Sequence, residues 1–292
     1  MILLALGLLA YAVSTVAFVG HLLVKKARWA TTGSWGLLAG IVCHAVGKVA
    51  LVITIGVPVK DATDALSLVG LCVAALFYYA ARRYRVPVLG AFASPLVFTS
   101  LAASLAFSDE GAVPEALRSG WFPVHLFLAI GGDACFGVAG IAGIAYLLQE
   151  RMLREKRTGT VFRALPPLHV LDEVMHRFIS AGLLLLSLGM LAGSFWAKQR
   201  WGSYWQWDPK QCWTLVTWLL FAGILHARVT IGWRGRRAAR LTVFAFASVF
   251  LAMVGLQLLV RTRHSGEYDG TKNAPAIAVT KDRVPSPSSG AQ

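Results

Sequence analysis

FISAGLLLLSLGMLAGSFWA, residues Phe178–Ala197, runs for twenty residues without one charged side chain. A bilayer core about 30 Å thick is crossed by roughly 20 predominantly apolar residues in helical form, so this stretch predicts a membrane-spanning helix. Working outward, the same reading applies upstream to Met1–Gly20, Ala65–Ala81 and Val86–Ser108, which carry no charge. It applies also to Ser34–Val59, charged only at Lys48, and Ser119–Gln149, charged only at Asp133. Downstream it picks out Gln211–Ala227 and Leu241–Val260. The expectation is an all-α integral membrane protein, a bundle of about eight transmembrane helices over residues 1–262. The tail 263–292, rich in Pro, Ser, Ala and Gly, reads as disordered.

Composition agrees. Of the 292 residues 57% are hydrophobic and 14% charged, against about 25% charged in soluble domains. That excludes a soluble enzyme, a disordered chain and a coiled coil. The formal net charge of +14 points to a membrane surface and not to nucleic acid, because the basic residues lie between the apolar blocks. They also alternate. Lys25, Lys26 and Arg28 follow the first block, and Arg82, Arg83 and Arg85 follow the third. Arg151, Arg154, Lys156, Arg157 and Arg163 follow the fifth, and Arg228, Arg234, Arg236, Arg237 and Arg240 the seventh. The intervening connections are poor in such residues. Under the positive-inside rule this predicts both termini on the outer face. The first block begins without Lys or Arg, so it reads as a true span and not a signal peptide. Cys43, Cys72, Cys135 and Cys212 form no C-x-x-C pair and read as small apolar residues.

The chemistry-bearing residues gather on the outer side. Six of the ten tryptophans fall within Trp196–Trp218. An aromatic belt would spread such rings over many helix ends. Here Trp201, Trp205, Trp207 and Asp208 sit in one connection, Trp201-Gly-Ser-Tyr-Trp-Gln-Trp-Asp208, within an outer loop of residues 196–213. Such a surface suits a flat hydrophobic ligand. His125 and His264 are expected at outer helix ends on the same side. His44 and His226 lie inside apolar blocks, each roughly 12–14 Å above the inner face if their helices end at Trp35 and Arg234. Intramembrane ionisable groups are costly and mark function, and imidazole is an axial ligand of haem iron. The residues therefore suggest two histidine pairs, one external and one within the bilayer, although spacing alone does not name haem. A hydrogen-bonded core histidine is the ordinary alternative for each, and His21, His169 and His176 are read that way. Lys48, one turn from His44, is expected to meet a carboxylate of the ligand or to pair with Asp133.

WGSYWQWDPKQCWTLVTWLLFAGILHAR, residues 201–228, together with LDEVMHRFISAGLLLLSLGMLAGSFWAKQR before it and Trp233-Arg234-Gly235 after it, resembles the tryptophan-rich WWD domain of haem-handling proteins. The nearest resemblance is to the CcsA (ResC) family of system II cytochrome c biogenesis, over roughly Leu171–Gly235. The sequence differs from that family in carrying Lys210-Gln211 where Lys-Glu is common, and His176-Arg177 where Tyr-Arg is common. The resemblance implies a subunit of a cytochrome c synthetase (haem lyase) in the bacterial inner membrane. It implies a CcsB (ResB) partner, apocytochrome c as acceptor, and haem b at two places. One haem would be external, on His125 and His264 beside the tryptophan loop; the other would be intramembrane, on His226 and His44. Two other readings compete: a haem transporter without a role in attachment, and a b-type electron carrier. An electron carrier needs no exposed aromatic platform, and a pure transporter needs no external ligand pair. No side chain of this chain stands out as a nucleophile or base, and no nucleotide-binding motif is evident.

Overall fold

The computed structural model describes residues 2–24, 26–57, 59, 62–107, 120–156 and 159–250. In a bilayer every backbone N–H and C=O needs a partner within the protein, and among the described residues that demand is met by helices throughout. They are α1 (Ile2–Val24), α2 (Ala27–Ile55), α3 (Ala62–Arg83), α4 (Gly90–Phe107, entered by a 3-10 turn at Pro87–Leu89), α5 (Trp121–Arg154), α6 (Thr160–Ala164), α7 (Leu168–Trp201), α8 (Pro209–Thr230) and α9 (Arg236–Phe250). Seven of these regions are long and apolar enough to cross a membrane. The eighth expected span starts in α9 and continues outside the described residues, where His264 and the tail 263–292 also lie.

Helix limits differ from the apolar limits. α7 starts at Leu168, well before the apolar run at Phe178, and carries Asp172, Glu173 and Arg177 in its first turns. Hydropathy marks the part that lipid tolerates. A helix continues past that part wherever its charged end is solvated or paired, as in the Arg177–Glu173 pair at i, i+4 (2.9 Å).

Two groups of helices form the bundle. α1, α2, α3 and α4 pack on one another, α5 packs on α7 and α9, and the groups meet along α3 and α5. Lipid provides no hydrophobic drive between helices, so close contact rests on small residues. A Cβ added at Gly132 of α5 would lie 3.0 Å from the Leu186 nitrogen, and one at Gly189 of α7 would lie 3.0 Å from the Ala129 nitrogen. α8 is tied in by Phe221, stacked on Phe136 with ring centroids 3.7 Å apart, and by the Trp218 indole, which donates to Ser187 Oγ (2.8 Å).

Candidate functional site

The tryptophan connection between α7 and α8 is held at both ends by backbone chemistry. α7 stops at Gly202, whose left-handed φ of 77° lets its N–H bond back to the Lys198 carbonyl. α8 starts at Asp208, whose carboxylate accepts the Lys210 N–H (2.9 Å) and is followed by Pro209 in the first turn. Between them, Ser203 Oγ donates to the Trp205 carbonyl (2.8 Å) and the Gln206 N–H donates to Gln211 Oε1 (2.9 Å). Position 211 thus serves as an acceptor, which an amide oxygen does as well as a carboxylate. Trp207 has φ 53°, a left-handed conformation uncommon for a bulky residue, and stands 76% exposed.

The six tryptophans do not form one platform. Trp196 is buried and Trp201 meets it edge-on at 5.0 Å. Trp213 and Trp218 spend their indole N–H groups on Ser248 O and Ser187 Oγ, joining helices. Trp207 and Tyr204 are the exposed rings, and half-buried Trp205 meets Trp207 edge to face at 5.7 Å. Asp208, expected among the cofactor-binding residues, is buried and works as the helix cap.

His125 lies in the second turn of α5, half-buried, with its ring parallel to Trp196 at 6.2 Å. Its Nδ1 lies 2.9 Å from the Gly189 carbonyl. A carbonyl only accepts, so Nδ1 carries the proton and the lone pair is on Nε2, the form in which imidazole ligates a metal. The ring is close enough to α7 that a Cβ on Gly193 would sit 2.6 Å from Nδ1.

His125 opens onto a cavity of about 160 Å³ at the junction of the two helix groups. Its wall includes Leu126, Ile130, Leu186 and Met190, and its polar lining includes Asp133, Lys210, Gln211, Thr214, Ser194 and Trp205. The Trp205 indole Nε1 is buried without a hydrogen-bond partner among the described residues, an unusual expense in a folded interior. A cavity of about 150 Å³ takes a benzene-sized group, so this one has room for a group of that size, and Tyr204 and Trp205 are also in its lining. Sequence reasoning did not bring Lys210 or Asp133 to this place. Lys210 lies just past the conspicuous Trp201–Asp208 run, and the sequence offers Asp133 only as one of two alternative partners for Lys48.

The intramembrane histidines do not meet. The depth match assumed helix ends at Trp35 and Arg234, but α2 extends down to Ala27 and α8 stops at Thr230. His44 is therefore roughly 25 Å along α2 from Ala27, and His226 roughly 6 Å from the end of α8. α2 packs on α1 and α3, whereas α8 packs on α7 and α9. His44 is wholly enclosed against Tyr11, ring centroids 6.0 Å apart, with neither ring nitrogen partnered among the described residues. His226 is exposed on the bundle surface. Lys48 does not pair with Asp133. It bonds directly to the carboxylate and carbonyl of Asp64 at the start of α3, with Ser104 Oγ also on that carboxylate (3.5 Å). Asp64 falls one residue before the apolar block at Ala65, so hydropathy alone does not single it out.

Much of the remaining recognisable sequence is structural. Arg228 of the His226-Ala-Arg228 stretch forms a two-pronged bond to Asp172 (3.1 and 2.8 Å), and Asp172 also accepts the Gly235 N–H (3.1 Å). His176 stands beside this lock, with its Nδ1 buried and unpartnered among the described residues.

Residues 59–264 match the family described as Cytochrome C assembly protein. The chain belongs to that family. It is similar to the cytochrome c biogenesis protein CcsA of Gloeobacter violaceus, 30% identical over 262 residues, covering 71% of this chain and 78% of the relative. The corresponding protein of Chlorella vulgaris is 29% identical over 274 residues, covering 82% and 87%. That of Synechococcus elongatus is 34% identical over 226 residues, covering 61% and 69%. In fold the chain is similar to the cytochrome c haem lyase CcmF, with TM-score 0.67 and 16% identity over 92% of this chain, which spans about half (48%) of that larger molecule. The cytochrome c assembly family membership places this membrane protein in cytochrome c biogenesis. The family region starts at residue 59, so the tryptophan loop, the cavity and Asp64 lie within it, whereas α1, α2, His44 and Lys48 precede it.

Proposed function

We propose that this chain is the haem-handling subunit of a cytochrome c synthetase, in a bacterial inner membrane, with the tryptophan loop and both termini outside. It carries haem across the membrane and presents it at the Trp201–Asp208 loop to apocytochrome c, working with a CcsB/ResB-type membrane partner. The observation that carries this reading is His125: an imidazole held in its metal-binding tautomer by Gly189, stacked on Trp196, in the lining of a mainly apolar cavity that Trp205 also lines. Haem is the substrate here. His125 would take one axial position of its iron, Trp205 and Trp207 would lie against the ring, and His264, outside the described residues, would supply the second axial ligand. The chain's own work is to position the ring and keep water from it while the acceptor's thiols add to the vinyl groups. For an intramembrane haem, the exposed His226 favours a site on the surface of the bundle, where a helix of another chain can close it. Enclosed His44 is a poor counterpart.

The test is the absorption spectrum of the purified protein, read together with cytochrome c maturation in cells. His125→Gly should lose or shift the haem absorption, since loss of one nitrogen ligand changes the iron's ligand field. Added imidazole should partly restore maturation in His125→Gly or His264→Gly, and should not rescue Trp205→Ala. Wild-type maturation by both glycine variants without imidazole would remove the external bis-histidine site and favour a transporter without an attachment role.

A further inference from the structure

The chain contains two buried pairings of an acid with a lysine, and they are built differently. Lys48 and Asp64 are in direct contact, both nearly inaccessible, with Ser104 and a backbone carbonyl taking up remaining bonds. That is the form an intramembrane pair takes when its role is structural, because desolvated charges are tolerable only when closely paired and hydrogen-bonded.

Asp133 and Lys210 are not built that way. Both line the same cavity as His125. Yet no direct ion pair joins them, and their walls are mainly apolar. Asp133 lies two turns beyond His125 on α5, roughly 12 Å deeper along the helix. Lys210 enters from the first turn of α8, where the Asp208 cap and Pro209 fix its direction. Opposite charges across a cavity and short of contact leave room for a third group. An anionic group of a ligand meets Lys210 with a charge-assisted hydrogen bond. The same group meets Asp133 as a like charge.

We propose that Lys210 is the anchor for a carboxylate borne on the edge of a flat apolar ligand, and that Asp133 is the competing internal anion that sets how readily the ligand leaves. This deepens the haem reading above and rests on it, since a tetrapyrrole carrying carboxylate side chains is the ligand class considered. When the ligand's carboxylate is on Lys210, Asp133 loses its counter-charge. When the ligand departs toward the acceptor, Asp133 takes Lys210 back, so an unpaired ammonium is not left behind in the cavity. Such an arrangement favours passage of the ligand over storage. Asp133 is here a positioning residue acting through Lys210.

The experiment uses the full chain in lipid nanodiscs and two metal-free probes, protoporphyrin IX and its dimethyl ester, so that histidine–iron bonding does not contribute. Wild type is expected to bind the diacid about tenfold more tightly than the diester, the scale of one charge-assisted bond. Lys210→Gln should bind both alike. Asp133→Asn should hold the diacid about tenfold more tightly and release it correspondingly more slowly, with its diester affinity unchanged as the control for folding. Asp133→Glu should restore wild-type release. Equal effects of Asp133→Asn on diacid and diester, or no effect on either, would overturn the proposal while leaving the haem site standing. Failure of the wild type to bind either porphyrin would instead overturn the haem reading, and this inference with it.

Discussion

Gly193 shows how closely the His125 ring is fitted to α7 by one missing atom. The His125 ring occupies the space a side chain would take, and a Cβ there would lie 2.6 Å from Nδ1 and 2.7 Å from Cε1. The ring cannot simply step aside, because Nδ1 is bonded to the Gly189 carbonyl and the face is stacked on Trp196. Gly193→Ala is therefore expected to leave the helix intact and displace the imidazole. Misplacing a reacting group by about 1 Å costs on the order of a hundredfold, so a tenfold or greater fall in maturation is expected, with unchanged far-ultraviolet dichroism. Maturation at the wild-type rate would mean that the ring position is not what limits the site. Asp208→Ala belongs to the same scale and acts differently: it removes the α8 cap, worth about 1 kcal/mol, and loosens Trp205 and Lys210 together.

Among the elements, α8 bears on function and stability at once. Its first turn carries Lys210 and its last turn is pinned by Arg228, whose side chain is 6% exposed, to Asp172 of α7. Because Asp172 also accepts from Gly235, the bond sets the rotation of α8 and directs His226, two residues away, outward. Arg228→Ala would strand a mostly buried carboxylate, a loss of about 3–5 kcal/mol, and should lower the thermal midpoint markedly in detergent. Arg228→Ala combined with Asp172→Ala should be milder than the single change. Additive losses would show that the pair is not coupled. Lys48 and Asp64 invite a parallel test. Lys48→Met alone should destabilise the protein strongly, and Lys48→Met with Asp64→Leu should recover much of the loss, as apolar replacements of buried pairs commonly do. If the recovered double variant matures cytochrome c normally, the pair is purely structural.

For the whole molecule, the arrangement across the membrane decides which face the site serves. The four arginine- and lysine-rich connections predict that reporters placed within 151–163 are active only inside and reporters after Gln292 only outside. Outer activity at the first position would reverse the assignment of the tryptophan loop. The helices themselves were legible in the sequence, because a lipid environment leaves long uncharged runs few alternatives and charge interrupts them cleanly. The tryptophan loop and His125 were legible too, since large rings and an imidazole are rare enough in such runs to stand out. Pairings were not. Lys48 takes Asp64 and not Asp133, and His44 and His226 stand on helices that do not pack together, because which helices are neighbours is decided by small-residue contacts such as Gly132 with Leu186 and Gly189 with Ala129. Composition and periodicity along the chain determined that this protein is a membrane bundle with a tryptophan-rich connection between two of its spans. Which buried charges and nitrogens share a cavity was decided only by the tertiary structure, because it depends on distances between helices that no spacing within a single helix encodes.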